Sequence, residues 1–255
     1  MKKPNPLISI VTCTWNSEKY LMDSMRSVIS QKYANIQYIF VDGGSTDSTL
    51  DMIESLEFPK IVLHNISGGI SKAMNAGVSV ATGDVIAHLH SDDFYLTDDV
   101  LNEVADIFGD LQIGWAYGRI KNLVLNELRD ETYVAPKYSR SRLLRGNFVP
   151  HPATFVRRNW LTRAGGFKED LKYAMDYDLW LTLSKFGDPV EIGRPIAAFR
   201  IHEGSLSSSN RIKALNEDFA VRLSHCENYV ERIGHYIRYV VRKKRAFRAA
   251  IKPMG

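Results

Sequence analysis

Cysteine is nearly absent from this chain. Cys13 and Cys226 are its only two, far apart and in no metal-binding or redox spacing, which leaves both thiols packed or free in a reducing compartment. No apolar run approaches the ~20 residues that span a bilayer. Lys2 and Lys3 open the sequence, but Pro4 and Pro6 follow, and the apolar run behind them is too short for a signal peptide. The expectation is a cytoplasmic chain, peripheral at most on the inner face of the cell membrane. Internal repeats and low-complexity tracts are missing. So are a phosphate loop and a dinucleotide fingerprint, because Gly43-Gly44 has neither a Lys-Ser/Thr ending nor the three-glycine spacing.

What is present suits one large domain with an appendage. In 255 residues, 45% apolar and 11% aromatic content allow a substantial core. The net charge of +4 is unevenly placed: from Arg222 onward nine Lys/Arg face only Glu227 and Glu231, a net of +7 that leaves −3 for the preceding chain. The basic character therefore belongs to the tail.

Four apolar runs in the first ninety residues or so read as strands: Leu7 to Thr14, Ile36 to Val41, Ile61 to Leu63 and Asp84 to Leu89. Between them lie helical spacings such as Leu21, Met25, Val28 and Leu50, Ile53, Leu56, with Ser17 a candidate cap for the first helix and Thr46 or Asp47 for the second. A β-α-β-α-β-α-β order predicts a mostly parallel, Rossmann-like α/β sheet flanked by helices. Each strand ends in polar residues, and those ends should converge on one crevice. The fourth breaks into His90-Ser91-Asp92-Asp93. Adjacent carboxylates at a buried strand exit need a cation, a donor or a proton, and a hard divalent ion bridging them to a phosphate would meet that need. A solvated turn before a helix near Thr97 is the competing reading.

The second half is less regular. Trp115 to Gly118 and Lys121 to Leu125 read as a hairpin, Arg140 to Arg145 as a short helix, Ala153 to Val156 as a strand and Asn159 to Arg163 as a short helix. Met175 to Phe186 places Met175, Leu179, Leu183 and Phe186 on one helical face. Asp176 opens that helix, where position alone favours an N-cap. Ile196 to Ile201 is a strand ending at His202, before a polar loop from Glu203 to Ser209, and a helix from about Arg211 leads into the tail.

Five stretches appear in a fixed order: ISIVTCTWN, VDGGSTDST, GGISKAMNAG, HSDD and MDYDLWL. In them the chain resembles the inverting family 2 glycosyltransferases of GT-A fold, particularly bacterial enzymes of polysaccharide assembly, over Ile8 to about His202. The resemblance implies a nucleotide diphosphate sugar as donor, with UDP the expected nucleotide, and a metal-dependent hexosyl or N-acetylhexosaminyl transfer. It implies that Thr12, Trp15, Asn16 and Asp42 meet the donor's base and ribose, that Asp92 faces the ribose, and that Lys72 meets the diphosphate, with Arg200 a further candidate. It also implies that Asp93 ligates Mg²⁺ or Mn²⁺, with His202 a second candidate ligand, and that Asp176 is the catalytic base. His151 and Asp178 fall on the acceptor side, Asp178 also standing as the alternative base. Each has a plainer reading: Trp15 as a core residue, Asp42 as a turn former, His202 as a loop histidine. The chain departs from the family's pattern at His90, where many relatives carry an acid or Asn, and at Met175, where an acid usually precedes the base.

The expected division is a glycosyltransferase domain at 1–210, with a nucleotide-binding half at 1–95 and an acceptor-binding half at 96–210, and a helical basic extension at 211–255. The saccharide or lipid-linked acceptor would lie near the extension if its basic-aromatic stretch, Arg232 to Arg248, rests on an anionic membrane surface; a helix packed on the domain is the other reading. Nucleic acid is not an expected partner, because no reader motif accompanies the basic residues. Two other classes stay open. A nucleotidyltransferase would carry a glycine- and basic-rich triphosphate loop early in the chain, and none is visible. A non-catalytic nucleotide-sugar-binding scaffold would be favoured by loss of the acidic motifs, which are intact.

Overall fold

The computed structural model describes residues 5–131, 133, 135–202 and 211–251. Four strands, β1 (Ile8–Thr14), β2 (Ile36–Asp42), β3 (Lys60–Leu63) and β4 (Val85–His88), pair in the order β3-β2-β1-β4, all parallel. The intervening helices are α1 (Leu21–Ile29), α2 (Thr49–Glu54) and α3 (Ile70–Val80). Every residue of β1 is buried, because a central parallel strand is covered on both faces; hence its unbroken apolar run. Thr14 lies opposite Asp42 and Val11 opposite His88, so the strand ends share one edge of the sheet.

The second half makes the sheet mixed. It adds β5 (Phe94–Tyr95), β6 (Trp115–Val124), β7 (Glu127–Asp130), β8 (Thr154–Arg157) and β9 (Val190–Arg200). β8 runs antiparallel to β4 and β6, β9 parallel to β6, and β5 antiparallel to β9. The parallel arrangement expected from the sequence thus holds for the first four strands. The hairpin expected within Trp115 to Leu125 is instead one strand, β6, paired with β7. Gly118 does not interrupt it but admits Ile196, whose Cδ1 would stand 2.6 Å from a Cβ there. The turn comes at Leu125 and Asn126, both at positive φ, as tight hairpin turns require.

One sheet face carries Ile8, Ile10 and Phe40 under Leu21, Met25 and Val28 of α1 and under Leu101, Val104 and Phe108 of α4 (Val100–Phe108). The other carries Val11, Cys13, Val41 and Trp115 under α3, α6 (Arg158–Ala164) and α7 (Met175–Leu183). A short α5 (Arg140–Leu143) precedes β8. The chain ends in α8 (Arg211–His225) and α9 (Tyr229–Ile251), the helical extension the sequence led us to expect. Buried Val221 and Arg222 seat α8 on the domain, and Phe219 stacks on Tyr239 at 4.1 Å between centroids to pin α9 against α8. Ser17 does not cap α1, which begins after Tyr20; its hydroxyl accepts from the Trp15 amide and the Ser91 hydroxyl. Neither Thr46 nor Asp47 is the N-cap of α2, which is Ser48; Asp47 lies one residue before it and accepts from the amide and hydroxyl of Thr49.

Candidate active site

The turn between β4 and β5 carries the acid pair. Its Asp93 amide donates to the His90 carbonyl, and the pairing of β5 with β9 brings Arg200 alongside. The Arg200 amide donates to Asp93 Oδ1 at 3.0 Å and its Nε to the Asp92 carbonyl at 3.0 Å. Its guanidinium also reaches Asp23 on α1 at 2.6 Å and lies 4.4 Å from the Tyr20 ring. Arg200 is therefore a clasp for the acid turn, its side chain engaged within the protein. Asp93 is 1% exposed and accepts one hydrogen bond among the described residues. Burial, then the neighbouring Asp92 charge, pushes its carboxyl well above the usual range. Asp92 Oδ2 lies 3.0 Å from His202 Nε2. A buried carboxylate short of donors, next to a second carboxylate, fits a hard cation whose remaining ligands are phosphate oxygens. No group of three or more His, Cys, Asp or Glu among the described residues could hold a metal ion without such help. The Glu203 to Ser209 loop expected after His202 lies outside the described residues.

The ends of β1 and β2 are laced together. Asp42 is buried and accepts from the amides of Gly44 and Ser45 and the hydroxyls of Ser45 and Thr14. Burial opposes its charge, yet these hydrogen bonds hold the carboxyl below its usual range. Gly44, at φ 95°, supplies the left-handed backbone that lets the loop wrap the carboxylate. Asn16 Oδ1 accepts from the Thr46 amide, crossing between the two strand ends. Trp15 is 70% exposed; the core placement is excluded, and its indole is an open surface at the strand edge. Thr12 is fully buried and donates to the Leu89 carbonyl at 2.8 Å, so the hydroxyl expected to face the nucleotide is used inside the sheet. Lys72 is an exposed residue of α3 with its stem against Gly68.

A cavity of about 510 Å³ opens beside the acid turn, lined by His90, Asp92, Asp93, Asn147, His151 and Asp176 among others. Of the residues singled out in the sequence, Asp92, Asp93, His151 and Asp176 meet there. Thr12, Trp15, Asn16, Asp42, Lys72 and Asp178 do not line it. Asp178 is a correction: in the first turn of α7 it faces inward, 3% exposed, between Lys168 Nζ at 2.7 Å and His225 Nε2 at 2.9 Å. It bolts α7 to α8 and is not open to an acceptor.

Asp176 does not cap α7, whose N-cap position is Ala174. Its Oδ1 accepts from the Tyr177 amide and its Oδ2 from Asn147 Nδ2 at 3.3 Å. Burial raises its carboxyl to about 6, the hydrogen bonds acting in the other direction. Glu217 of α8 instead fixes the approach to the helix, its carboxylate accepting from the amides of Lys172, Tyr173 and Ala174 at 2.6 to 3.1 Å. An acid at a helix N-terminus also favours the local dipole. A single Glu in a polar helix gives no signal in the sequence that it reaches forty residues back.

Three histidines lie under the acid turn. His90 stacks on His151 at 4.7 Å, nearly coplanar, and His88 approaches His151 at 5.8 Å. Burial, reinforced in His88 and His151 by neighbouring histidines, lowers all three below the ordinary histidine range, His88 to about 3. They are neutral at neutral pH, and His88 Nε2, His90 Nδ1 and His151 Nε2 have no partner among the described residues. His88 was invisible in the sequence because it closes an apolar strand.

The sequence matches the family described as Glycosyl transferase family 2 over residues 9–164. It is 29% identical to a chondroitin synthase of Pasteurella multocida over 91% of this chain and 24% of that one. It is 26% identical to the Escherichia coli UDP-Glc:alpha-D-GlcNAc-diphosphoundecaprenol beta-1,3-glucosyltransferase WfgD over 94% of this chain and 96% of that one. The chain spans a fifth to a third of the length of the chondroitin and hyaluronan synthases it matches. Among solved structures, S. aureus TarS in complex with UDP-GlcNAc superposes with a TM-score of 0.71 at 19% identity, over 89% of this chain and 69% of that one. The likeness establishes a GT-A fold.

Proposed function

The chain belongs to glycosyl transferase family 2, and from that membership we propose that it moves a hexosyl or N-acetylhexosaminyl group from a UDP-sugar to a hydroxyl. The acceptor we propose is a saccharide or lipid-linked saccharide in bacterial surface polysaccharide or glycolipid assembly, and the anomeric configuration inverts. The carrying observation is that Asp92, Asp93 and Asp176 open onto one cavity. TarS binds UDP-GlcNAc and WfgD is a UDP-glucose enzyme acting on a lipid diphosphate sugar, which supports this donor and acceptor class.

The first ninety-five residues form the nucleotide side in this reading. Trp15 offers its exposed indole for stacking on the base, Asn16 and the Asp42 loop fix the edge beside it, and Asp92 faces the ribose. Lys72, at the rim of α3, would have to swing toward the diphosphate. Asp93, with Asp92 and His202 beside it, would hold Mg²⁺ or Mn²⁺. A bound cation of this kind supplies positive charge to the departing diphosphate. Asp176 takes the acceptor's hydroxyl proton as that oxygen bonds to the anomeric carbon, and the sugar–phosphate bond breaks with its electron pair leaving on the nucleoside diphosphate. A carboxylate titrating at about 6 is ionised at neutral pH and more basic than an ordinary one. Asn147 keeps it aimed at the cavity.

Nuclear magnetic resonance of the product formed from a UDP-sugar of known configuration tests this. Inversion, with transfer lost in EDTA and restored by Mg²⁺ or Mn²⁺, is the expected result. Retention of configuration would sink the single displacement through Asp176, and undiminished transfer from metal-stripped protein would sink the role of Asp93.

We place the enzyme at an anionic membrane surface through α9. Its Phe219-facing side packs on α8, while Tyr229, Val230, Ile233, Ile237 and Val241 are exposed among basic residues. Such a helix suits the interface rather than the bilayer interior, and no helix of the described residues is long and apolar enough to cross a membrane. Co-sedimentation with anionic but not neutral vesicles, lost on Ile233→Glu/Ile237→Glu, is the expected outcome; equal binding by the variant would refute it.

A further inference from the structure

A second cavity, of about 940 Å³, adjoins the first and shares Asn147, Tyr173 and Asp176 with it. Its distinctive feature is arginine. Arg142 on α5 and Arg145 just beyond it lie three residues apart, on one side of a helical turn. Arg242 comes from α9, and its guanidinium lies over Gly146, where a Cβ would stand 3.4 Å from a terminal nitrogen. Among the described residues none of these three forms an ion pair, and their one guanidinium hydrogen bond is donated by Arg142 to the Lys137 carbonyl. Nearby arginines are paired: Arg140 with Glu227, and buried Arg222 with Asp218. Asp218 does line the cavity, but Arg222 holds it, and the other carboxylate there is Asp176. Three guanidiniums from two separate parts of the chain therefore converge beside the reacting carboxylate; Arg242 also feels the Asp218 charge that Arg222 pairs, so the cluster keeps an excess of positive charge.

Guanidinium forks match phosphate oxygens bidentately, and several together suit a group with more than one charge. Because Asp176 belongs to both cavities, a ligand whose anion sits among the arginines has its neighbouring sugar at the base. Resting on the transferase reading above, we propose that Arg142, Arg145 and Arg242 form an acceptor subsite for a phosphate or diphosphate ester, so that the acceptor is a sugar carried on such a group. The ester could come from a lipid-linked diphosphate or from a soluble sugar phosphate. The subsite also gives the basic tail a task at the reaction centre, since Arg242 sits on the same helix as the exposed apolar stripe.

The test is calorimetric titration of the full chain, with UDP and Mg²⁺ saturating the donor side, using geranyl diphosphate, inorganic pyrophosphate and uncharged octyl glucoside as probes. Geranyl diphosphate should bind wild type and weaken by about tenfold or more in Arg145→Gln and Arg242→Gln. UDP affinity and the melting temperature should not move. Geranyl diphosphate binding well above pyrophosphate identifies the lipid-linked source; equal binding identifies the soluble one. No binding of either anion to wild type, unchanged binding in both variants, or equal binding of octyl glucoside would overturn the proposal. Failure of UDP to bind wild type would strike the donor reading instead, and the comparison between wild type and the arginine variants would still decide the subsite.

Discussion

Asp93 and Asp176 open onto the same cavity but are held by different kinds of structure. Asp93 belongs to the sheet: the β5–β9 pairing sets Arg200 against it, and the Arg200 side chain ties the acid turn to α1. Asp176 stands on the first turn of a helix whose approach is fixed by one carboxylate, Glu217, from the C-terminal extension. Both acids are raised by burial, yet the first lies beside a second carboxylate and the second accepts from Asn147; in our proposal the first therefore meets a cation and the second takes a proton. In that proposal the roles differ because the neighbours differ, and because Asp93 is the more deeply buried of the two. The extension thus fixes the approach to Asp176, whereas the acid turn is tied to β9 and α1.

The sharpest way to separate the two is to neutralise the base. Asp176→Asn should lower transfer by about 10²- to 10⁴-fold, the usual worth of a positioned general base, measured as product formed under saturating donor. Near-normal turnover would move the base elsewhere. Acidity should act on the same residue: the rate should rise with pH through about 6 and level off above it, falling about tenfold per unit below. A flat profile between pH 5 and 7 would separate Asp176 from the rate-limiting proton transfer.

Glu217→Gln probes the other end of the comparison. Loss of charge-assisted bonds to three amides should cost about 1–3 kcal/mol, seen in chemical denaturation, and should depress transfer while UDP affinity holds. Equal loss of both functions would show that the extension supports the whole cavity. The smallest effect expected is a gain. The folded pKa of Asp176 lies above the ordinary ~3.9, so its charge penalises the fold above pH 6 and ceases to do so as pH falls toward 4. Asp176→Asn should therefore raise the melting temperature at pH 7.5 by roughly 2–6 °C and by less at pH 5. A drop at both pH values would mean that the carboxylate stabilises the fold.

The parallel half of the fold was legible because its strands are continuous apolar runs with helical spacings between them. The acid pair was legible because it breaks such a run. The sheet's mixed half was less so: Gly118 resembles a strand end but makes room for Ile196. Side-chain placement was only partly readable. Thr12 and Asp178 sit in the right motifs, yet one faces the sheet interior and the other the α7–α8 joint, and a motif carries no information about which way a side chain turns. Trp15 is exposed where a tryptophan usually packs, which rules out its plainer reading as a core residue. Glu217, Asn147 and the Arg142, Arg145 and Arg242 cluster depend on contacts between distant segments, which no local pattern encodes.

The division of labour is tested most directly by calorimetric titration of UDP, with Mg²⁺ or Mn²⁺, into wild type, Asp93→Ala and Asp176→Asn. Metal-dependent binding that is lost in Asp93→Ala and kept in Asp176→Asn is the expected result. Binding kept in Asp93→Ala, or lost equally in both variants, would contradict the assignment of one carboxylate to the donor and the other to the acceptor.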